Sequence, residues 1–267
     1  MYKNKPEYVF LCAAMVGGIE ANRTLPASFI FSNLQIQTNV IAQAFVCDVR
    51  RLLFLGSSCV YPRLAEQPIK EESLLSGPLE PTNRAYAVAK IAGIEMCRSY
   101  NYQCGTDYRS VMPTNLYGPG DNYDALHAHV IPALIRRMHE AKENGDDTFT
   151  VWGSGEPLRE FLYVDDLAEA CVTVMKSPKG CADLINIGSG REVSIKALSF
   201  VIREVIGFKG DIRFDPRLPD GTPRKLLDSS RIKGMGWCSK TSLWDGIDKT
   251  YEDFKRRWSD GMVQKRG

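Results

Sequence analysis

The chain has 267 residues, 44% of them hydrophobic and 25% charged, and its net charge at pH 7 is +2. This is ordinary globular composition, and the small charge carries no electrostatic signature of nucleic-acid or membrane-surface binding. The 8 cysteines show no Cys-x-x-Cys pair and no metal-like spacing, and no apolar stretch approaches the ~20 residues of a membrane helix. We therefore expect a cytoplasmic protein with reduced thiols, no metal site, and neither nucleic-acid nor membrane partners.

The first predicted element is a buried strand over residues 8–14. This run is apolar throughout, as in a parallel strand that is covered on both faces. Because it is short and runs into a charged loop, we interpret it as a strand rather than a secretion signal. A helix over 26–47 and a second buried strand over 52–56 follow. This strand–helix–strand unit is typical of a doubly wound α/β fold.

The rest of the chain continues with alternating helices and strands. We predict a helix over 85–104, a strand over 108–112, a helix through Ile135, Met138 and Ala141, strands over 149–152 and 161–164, a helix capped by Asp165 that reaches about Lys176, a strand over 184–187, a helix over 194–206 opened by Ser194, a strand over 212–214, and a final helix over 243–258. No segment repeats at a fixed period.

The side chains best suited to catalysis lie between positions 52 and 90. The strand at 52–56 ends in a loop with a hydroxyl and a thiol, Ser57 and Cys59. Tyr86 and Lys90 are four residues apart, so a helix places them on one face. A tyrosine beside an ammonium group gives up its proton more easily than a free tyrosine, which suits proton transfer to or from a substrate oxygen. Ser57 would hydrogen-bond the same oxygen.

Several segments, in this order along the chain, carry a specific resemblance. Residues 56–62, the Tyr86-x-x-x-Lys90 pair, and residues 113–119 and 159–166 together resemble an extended short-chain dehydrogenase/reductase. Within that superfamily the chain is similar to the GDP-L-fucose synthases. The distinguishing pieces are Cys59 beside the serine, 129–134, 151–155 and 219–225. The resemblance runs from about residue 8 to the last helix.

The resemblance implies an α/β fold in two parts. An NAD(P)-binding Rossmann-like, doubly wound parallel sheet would span 1–118 and 157–190, and a smaller α/β domain for the GDP-sugar would span 119–156 and 191–267. Such enzymes begin with a strand, a Gly-x-x-Gly-x-x-Gly turn and a helix, and this sequence shows no such turn near its start; roughly fifty residues of the pattern are missing. We expect an N-terminally truncated domain in which the strand at 8–14 is an apolar sheet edge.

The resemblance also implies an activity. GDP-4-keto-6-deoxy-D-mannose would undergo 3,5-epimerisation and then NADPH-dependent 4-reduction to GDP-L-fucose. Cys59 would be the base of the epimerisation and His129 the acid, because a thiol and an imidazole both change charge within reach of neutral pH. Tyr86 would protonate the C4 oxygen during reduction, helped by Lys90, with Ser57 orienting that oxygen. His127 matches no role.

Binding residues follow from the same resemblance. The nicotinamide half of NADPH/NADP would contact Ala13, Ala14, Leu55, Gly56, Ser57, Ser58, Lys90, Pro113, Thr114, Asn115, Leu116 and His129. The GDP diphosphate and sugar would contact Arg137, Trp152, Arg159, Asp220, Arg224 and Lys225, since guanidinium groups suit diphosphate oxygens. Helices over 26–47 and 85–104 would pair with their copies in a homodimer.

Two alternatives remain open on the sequence. One is an inactive, truncated remnant that dimerises or binds GDP-sugar. The other is a different nucleotide-sugar epimerase or dehydratase, although a dehydratase more often carries Thr and Glu where this chain has Ser58-Cys59.

Overall fold

The computed structural model of the chain describes residues 1, 3–124, 128–218 and 220–263. Its strands are β1 (Tyr8–Leu11), β2 (Arg51–Leu55), β3 (Tyr108–Pro113), β4 (Asn115–Tyr117), β5 (Thr148–Trp152), β6 (Leu158–Tyr163), β7 (Leu184–Ile187), β8 (Glu192–Ser194), β9 (Asp211–Asp215) and β10 (Arg224–Lys225). Its helices are α1 (Ile19–Thr24), α2 (Pro26–Val46), α3 (Arg84–Cys104), α4 (Val130–Asn144), α5 (Val164–Lys176), α6 (Ile195–Ile206), α7 (Ser230–Gly234) and α8 (Leu243–Ser259). Short 3-10 helices lie at Ser58–Val60, Glu71–Ser73 and Pro81–Asn83. Across these described ranges, no helix combines the length and apolar character needed to cross a membrane.

A parallel sheet with strand order β1-β2-β3-β7 forms the centre of the larger part of the described chain. Successive residues of β2 face opposite sides, because side chains alternate along a strand. Leu52 and Phe54 pack with α2 and α3, whereas Leu53 packs with α5. The sheet is thus covered by helices on both faces, which confirms the predicted Rossmann-like α/β fold.

Strand β1 is shorter and more exposed than the sequence predicts. It ends at Leu11 rather than at residue 14, and Tyr8 and Phe10 are 41% and 44% exposed. Within the described residues its ladder partner is β2 on one side. The prediction of a strand buried on both faces is therefore wrong, and the prediction of an apolar edge is confirmed.

The smaller part surrounds a second hydrophobic core. Helices α4, α6 and α8 pack around it with the parallel pair β5–β9, and Phe149, Ile202 and Phe254 lie inside. Strand β6 is the centre of a separate small sheet, in which it pairs with β4 and β10 in parallel and with β8 in antiparallel fashion. The division into two domains stays a prediction.

Two predicted helix starts have different outcomes. Ser194 caps α6 as predicted, since its Oγ accepts a hydrogen bond from the Ala197 amide at 3.0 Å. Asp165 is not the cap of α5, because the helix already begins at Val164. Asp165 and Asp166 instead lie in the first turn, where the positive end of the helix dipole favours carboxylates.

Candidate active site

The loop after β2 presents Ser57 and Cys59 at the carboxyl edge of the sheet. A 3-10 turn begins at Ser58, and the Ser57 Oγ accepts a hydrogen bond from the Cys59 amide at 3.3 Å. Val60 in the same turn is fully buried and anchors it. At Gly56 an added Cβ would lie 2.5 Å from the Met112 sulfur, so a larger residue here would require the Met112 side chain to move. The loop therefore has a fixed path, and the thiol of Cys59 is half-buried rather than enclosed.

Helix α3 brings Tyr86 and Lys90 to the same edge. Lys90 is 2% exposed, and its Nζ donates a hydrogen bond to the Leu55 carbonyl at 2.7 Å. The same Nζ lies 5.8 Å from the centre of the Tyr86 ring. Burial lowers the pKa of Lys90 to about 8. The predicted pairing of Tyr86 and Lys90 on one helix face is present, and Lys90 ties that face to the end of β2.

The protonation of Tyr86 differs from the sequence prediction. Burial raises the pKa of Tyr86, the negative charge of a nearby Cys59 thiolate raises it further, and a hydrogen bond with Ser57 opposes both effects. The expectation that Tyr86 releases its proton more easily is therefore wrong for this structure, because burial outweighs any help from Lys90. Tyr86 is protonated at neutral pH, which is the form that an acid needs.

A distant segment completes the surroundings of Cys59. The Nζ of Lys225, on β10, donates a hydrogen bond to the Cys59 sulfur at 3.6 Å. Both side chains line a cavity of about 40 Å³, which is also lined by Arg63, Glu80 and Asn83. The family resemblance assigns Lys225 to the substrate, and its contact with a residue 166 positions away has no signal in the local sequence.

His129, the proposed acid, has different recorded neighbours from Cys59 and Tyr86. It is the exposed residue before the first turn of α4, beside Asp121. Burial raises the pKa of Asp121, and the positive charge of His129 opposes this. In the described part of the chain, no hydrogen bond joins His129 to Cys59 or to Tyr86. Hydrogen bonds and charge interactions thus link Ser57, Cys59, Tyr86 and Lys90 at the end of β2, and none of those interactions involves His129. His127 lies outside the described residues.

Arg137 and Trp152 form an exposed stack, as their proposed role in substrate binding requires. The guanidinium of Arg137 lies 5.0 Å from the ring centres of both Phe149 and Trp152. Its Nη2 also donates to the Thr150 carbonyl at 2.6 Å. Trp152 is 62% exposed. A flat, cationic and aromatic surface of this kind can bind a planar or anionic group.

The remaining proposed substrate residues have different surroundings. Arg159 on β6 is the register partner of Lys225, and burial lowers its pKa while the charge of Asp220 opposes that shift. Asp220 accepts hydrogen bonds from the amide and the hydroxyl of Ser154 at 2.7 and 2.8 Å. Arg224 pairs with Glu192 at 2.8 Å. Arg159 and Lys225 are therefore register partners on neighbouring strands, and of the two it is Lys225 that contacts Cys59.

Apart from Lys90 on α3 and His129 before α4, the proposed cofactor residues lie at the carboxyl ends of the strands, where α/β folds bind ligands. These positions are Ala13 and Ala14 just beyond β1, Leu55, Gly56, Ser57 and Ser58 at the end of β2, and Pro113, Thr114, Asn115 and Leu116 from β3 into β4. The polar side chains of Thr114 and Asn115 both donate to the Glu160 carbonyl, at 3.1 and 3.0 Å. Ala13 is exposed and Ala14 is half-buried, so the sheet edge next to β1 is accessible to solvent.

Glu160 is a buried residue to which the sequence analysis gave no role. Its side chain is 0% exposed, and its carboxylate accepts hydrogen bonds from the amides of Gly190 at 2.6 Å and Leu227 at 3.1 Å. It thereby joins the loop after β7 and the segment after β10 to β6. The sequence signal is a carboxylate directly before the apolar residues Phe161 and Leu162, since a carboxylate buried in a strand needs hydrogen-bond partners.

The fold and the Ser–Tyr–Lys arrangement define a class of protein, and comparison with known protein families identifies that class. Residues 1–188 match the NAD dependent epimerase/dehydratase family. The chain belongs to this family.

Its relatives narrow the class further. The chain is 57% identical over 262 residues to putative GDP-L-fucose synthase 2 of Arabidopsis thaliana, which covers 98% of this chain and 78% of the relative. It is 52% identical over 256 residues to GDP-L-fucose synthase of Escherichia coli, covering 93% and 80%. A solved GDP-L-fucose synthetase from Naegleria fowleri bound to NADP has a TM-score of 0.87 at 30% identity, covering 97% of this chain and 80% of that one.

Proposed function

We propose that this chain is a GDP-L-fucose synthase, which converts GDP-4-keto-6-deoxy-D-mannose to GDP-L-fucose by 3,5-epimerisation and NADPH-dependent 4-reduction. One observation carries the proposal. Ser57, Cys59, Tyr86 and Lys90 converge at the end of β2 in a chain that is 52% to 59% identical to GDP-L-fucose synthases over 92% or more of its length.

Epimerisation requires a base and an acid. The 4-keto group makes the protons on C3 and C5 acidic, and we assign their removal to Cys59 as thiolate. The thiol lies at the cavity that it shares with Lys225. We give the acid role to His129 by its resemblance to the family, because an imidazole exchanges protons near neutral pH.

Reduction requires a proton donor at the C4 oxygen. Tyr86 suits this role because burial keeps it protonated, and Ser57 is its hydrogen-bond neighbour. NADPH, when bound, supplies the hydride to C4. The residues present suit its nicotinamide half: Lys90 uses one of its three N–H donors on the Leu55 carbonyl, which leaves donors for sugar hydroxyls at the edge formed by Ala13, Ala14 and residues 113–116.

The test is direct. The purified chain is incubated with GDP-4-keto-6-deoxy-D-mannose and NADPH, and NADPH absorbance is followed while the sugar product is identified by NMR. We expect NADPH consumption and a product with the fucose configuration. A remnant without catalytic function would leave the absorbance unchanged and would give no NADPH binding in a fluorescence titration.

An active enzyme of another kind would give a different result in the same experiment. A 4-epimerase or a dehydratase would release a sugar that lacks the fucose configuration. Tyr102→Phe is the matched control for purification and handling, because Tyr102 is 97% exposed and far from the site along α3. Its activity should equal that of the unmodified chain.

We also propose that the chain forms a homodimer through α2 and α3 and acts in the cytoplasm. Phe31 and Val46 on α2 are 61% and 55% exposed, and Val88 on α3 is 39% exposed. Burial of such apolar area is the usual driving force for association. Sedimentation of the chain and of Phe31→Glu tests the interface: we expect a dimer and a monomer, and a dimer in both would contradict this assignment. The cytoplasmic location is supported by 8 cysteines that are all free.

A further inference from the structure

We propose that Lys225 is a positioning residue for Cys59, which holds the sulfur as a thiolate and aims it into the cavity that both side chains line. The inference rests on the proposed function for the identity of the substrate. Lys225 has so far been considered only as a contact for the GDP-sugar. Its own observed partner is the thiol, at 3.6 Å between Nζ and Sγ.

The backbone on both sides of this contact is fixed. On the lysine side, β10 pairs in register with β6, and the next two amides bond to Gln67 Oε1 at 2.8 Å and to Glu160 Oε2 at 3.1 Å. On the cysteine side, the buried Val60 and the Ser57 hydroxyl hold the 3-10 turn. A contact between two fixed segments costs little additional side-chain ordering, so the geometry is built into the fold.

The other charges around the cavity are already paired. Arg63 pairs with Glu80 at 3.2 Å, and Arg224 pairs with Glu192 at 2.8 Å. Within the described ranges, no carboxylate forms an ion pair with Lys225. The half-buried ammonium is thus available to the sulfur, and a positive charge beside a thiol favours the thiolate.

Other titratable groups also face Cys59. From α3 comes Tyr86, and around the cavity lie Tyr61, Arg63, Glu80, Arg224 and Lys225. Burial raises the pKa of both tyrosines, so they are neutral at neutral pH. The Arg63–Glu80 pair contributes no net charge, and Arg224 is opposed by Glu192. Lys225 is therefore the group whose charge dominates at the sulfur.

The proton transfer that this arrangement serves balances in a simple way. The thiolate takes a proton from the carbon next to the keto group. An S–H bond forms, the C–H bond breaks, and the electron pair stays on the sugar as an enolate. Lys225 keeps its own protons throughout and stabilises the negative charge of the sulfur before transfer.

The test measures the thiolate without any turnover. The chain is treated with iodoacetamide at a series of pH values, and alkylation of the Cys59 peptide is quantified by mass spectrometry, because only the thiolate reacts. We expect Lys225→Met to move Cys59 alkylation to higher pH, because the neutral side chain no longer stabilises the thiolate. Lys225→Arg should restore most of the difference, since it returns the charge.

Controls separate this role from a structural one. Lys209→Met removes an exposed lysine between α6 and β9, and the exposed Cys238 provides an internal reference thiol in every sample. If Lys225→Met does not fold, Lys225→Gln provides the same neutral comparison. An unchanged Cys59 midpoint in a folded neutral variant would overturn the proposal.

The proposed function can fail separately from this inference. In that case the Lys225 effect on alkylation would be present, but no fucose-configured product would form. In the reverse case the product would form while the midpoint stays unchanged, and only the role of Lys225 would be lost.

Discussion

The hydroxyl of Tyr61 donates a hydrogen bond to the Asn186 side-chain oxygen at 2.6 Å, and both residues are buried. Asn186 in turn donates its amide to Glu71 Oε1 at 2.9 Å and its side-chain nitrogen to the Ile69 carbonyl at 2.9 Å. The three bonds attach the loop that follows Cys59 to the end of β7. The thiol's position therefore depends on a strand that is far away in sequence.

Tyr61→Phe should destabilise the fold, because it removes the buried hydroxyl and keeps the aromatic ring. It leaves the Asn186 oxygen buried without this donor, which costs about 1–3 kcal/mol. Urea unfolding followed by circular dichroism measures the change. Tyr102→Phe is the matched control, because that ring is 97% exposed, and its free energy of unfolding should not change. Equal stability of the two variants would mean that another donor replaces Tyr61.

Glu160→Gln should also lower the free energy of unfolding. The carboxylate accepts from two backbone amides, and an amide side chain offers one oxygen and turns N–H groups toward the other donor. We expect a loss of about 1–3 kcal/mol. Glu156→Gln is the control, because Glu156 is exposed in the loop before β6. Its free energy of unfolding should not change.

The lowered pKa of Lys90 predicts that stability depends on pH, and Lys90→Met should remove this dependence. Burial lowers the folded pKa of Lys90 to about 8, below its ordinary value of 10.5. Between these two values the unfolded chain binds the proton and the folded chain does not, so the contribution of Lys90 to stability rises with pH. From pH 7 to about 9.5, the free energy of unfolding of the unmodified chain should increase relative to Lys90→Met by about 1–2 kcal/mol.

Denaturant titrations at the two pH values measure this difference, and Lys209→Met controls for the removal of an exposed lysine. Effects of tyrosines and cysteines common to both chains cancel in the comparison. A difference that stays constant with pH would show that Lys90 has an ordinary pKa in the folded chain.

Much of the fold could be predicted from local patterns. Long helices such as α2, α3 and α8 agree with their predicted bounds within one or two residues, because their apolar periodicity and their starting residues are encoded locally. The short strands β4, β8 and β10 were missed. They contain two or three residues and exist because β6 offers them backbone partners, which is information that no local window contains.

The candidate site divides in the same way. Two neighbouring elements with recognisable spacing contain Ser57, Cys59, Tyr86 and Lys90. The proximity of these side chains could therefore be predicted from the sequence. The Lys225–Cys59 contact depends on where β10 lies in the tertiary structure. The state of Tyr86 depends on how deeply the ring is buried, and spacing along a helix says nothing about depth.

Epimerisation and reduction can be measured separately. This tests whether Cys59 acts in the epimerisation and Tyr86 in the reduction. Tyr86→Phe removes the proton donor for the C4 oxygen but leaves the thiol, so NADPH consumption should fall by about 10²–10⁴-fold while exchange of the sugar C–H protons with heavy water continues. Cys59→Ser should abolish the exchange instead, because an alcohol is a far weaker acid than a thiol and supplies almost no anion at neutral pH. NMR of the sugar in heavy water reads the exchange, and absorbance reads the reduction. If Tyr86→Phe lost both activities in a folded protein, Tyr86 would also act in the epimerisation, and if Cys59→Ser kept the exchange, the base would be another residue.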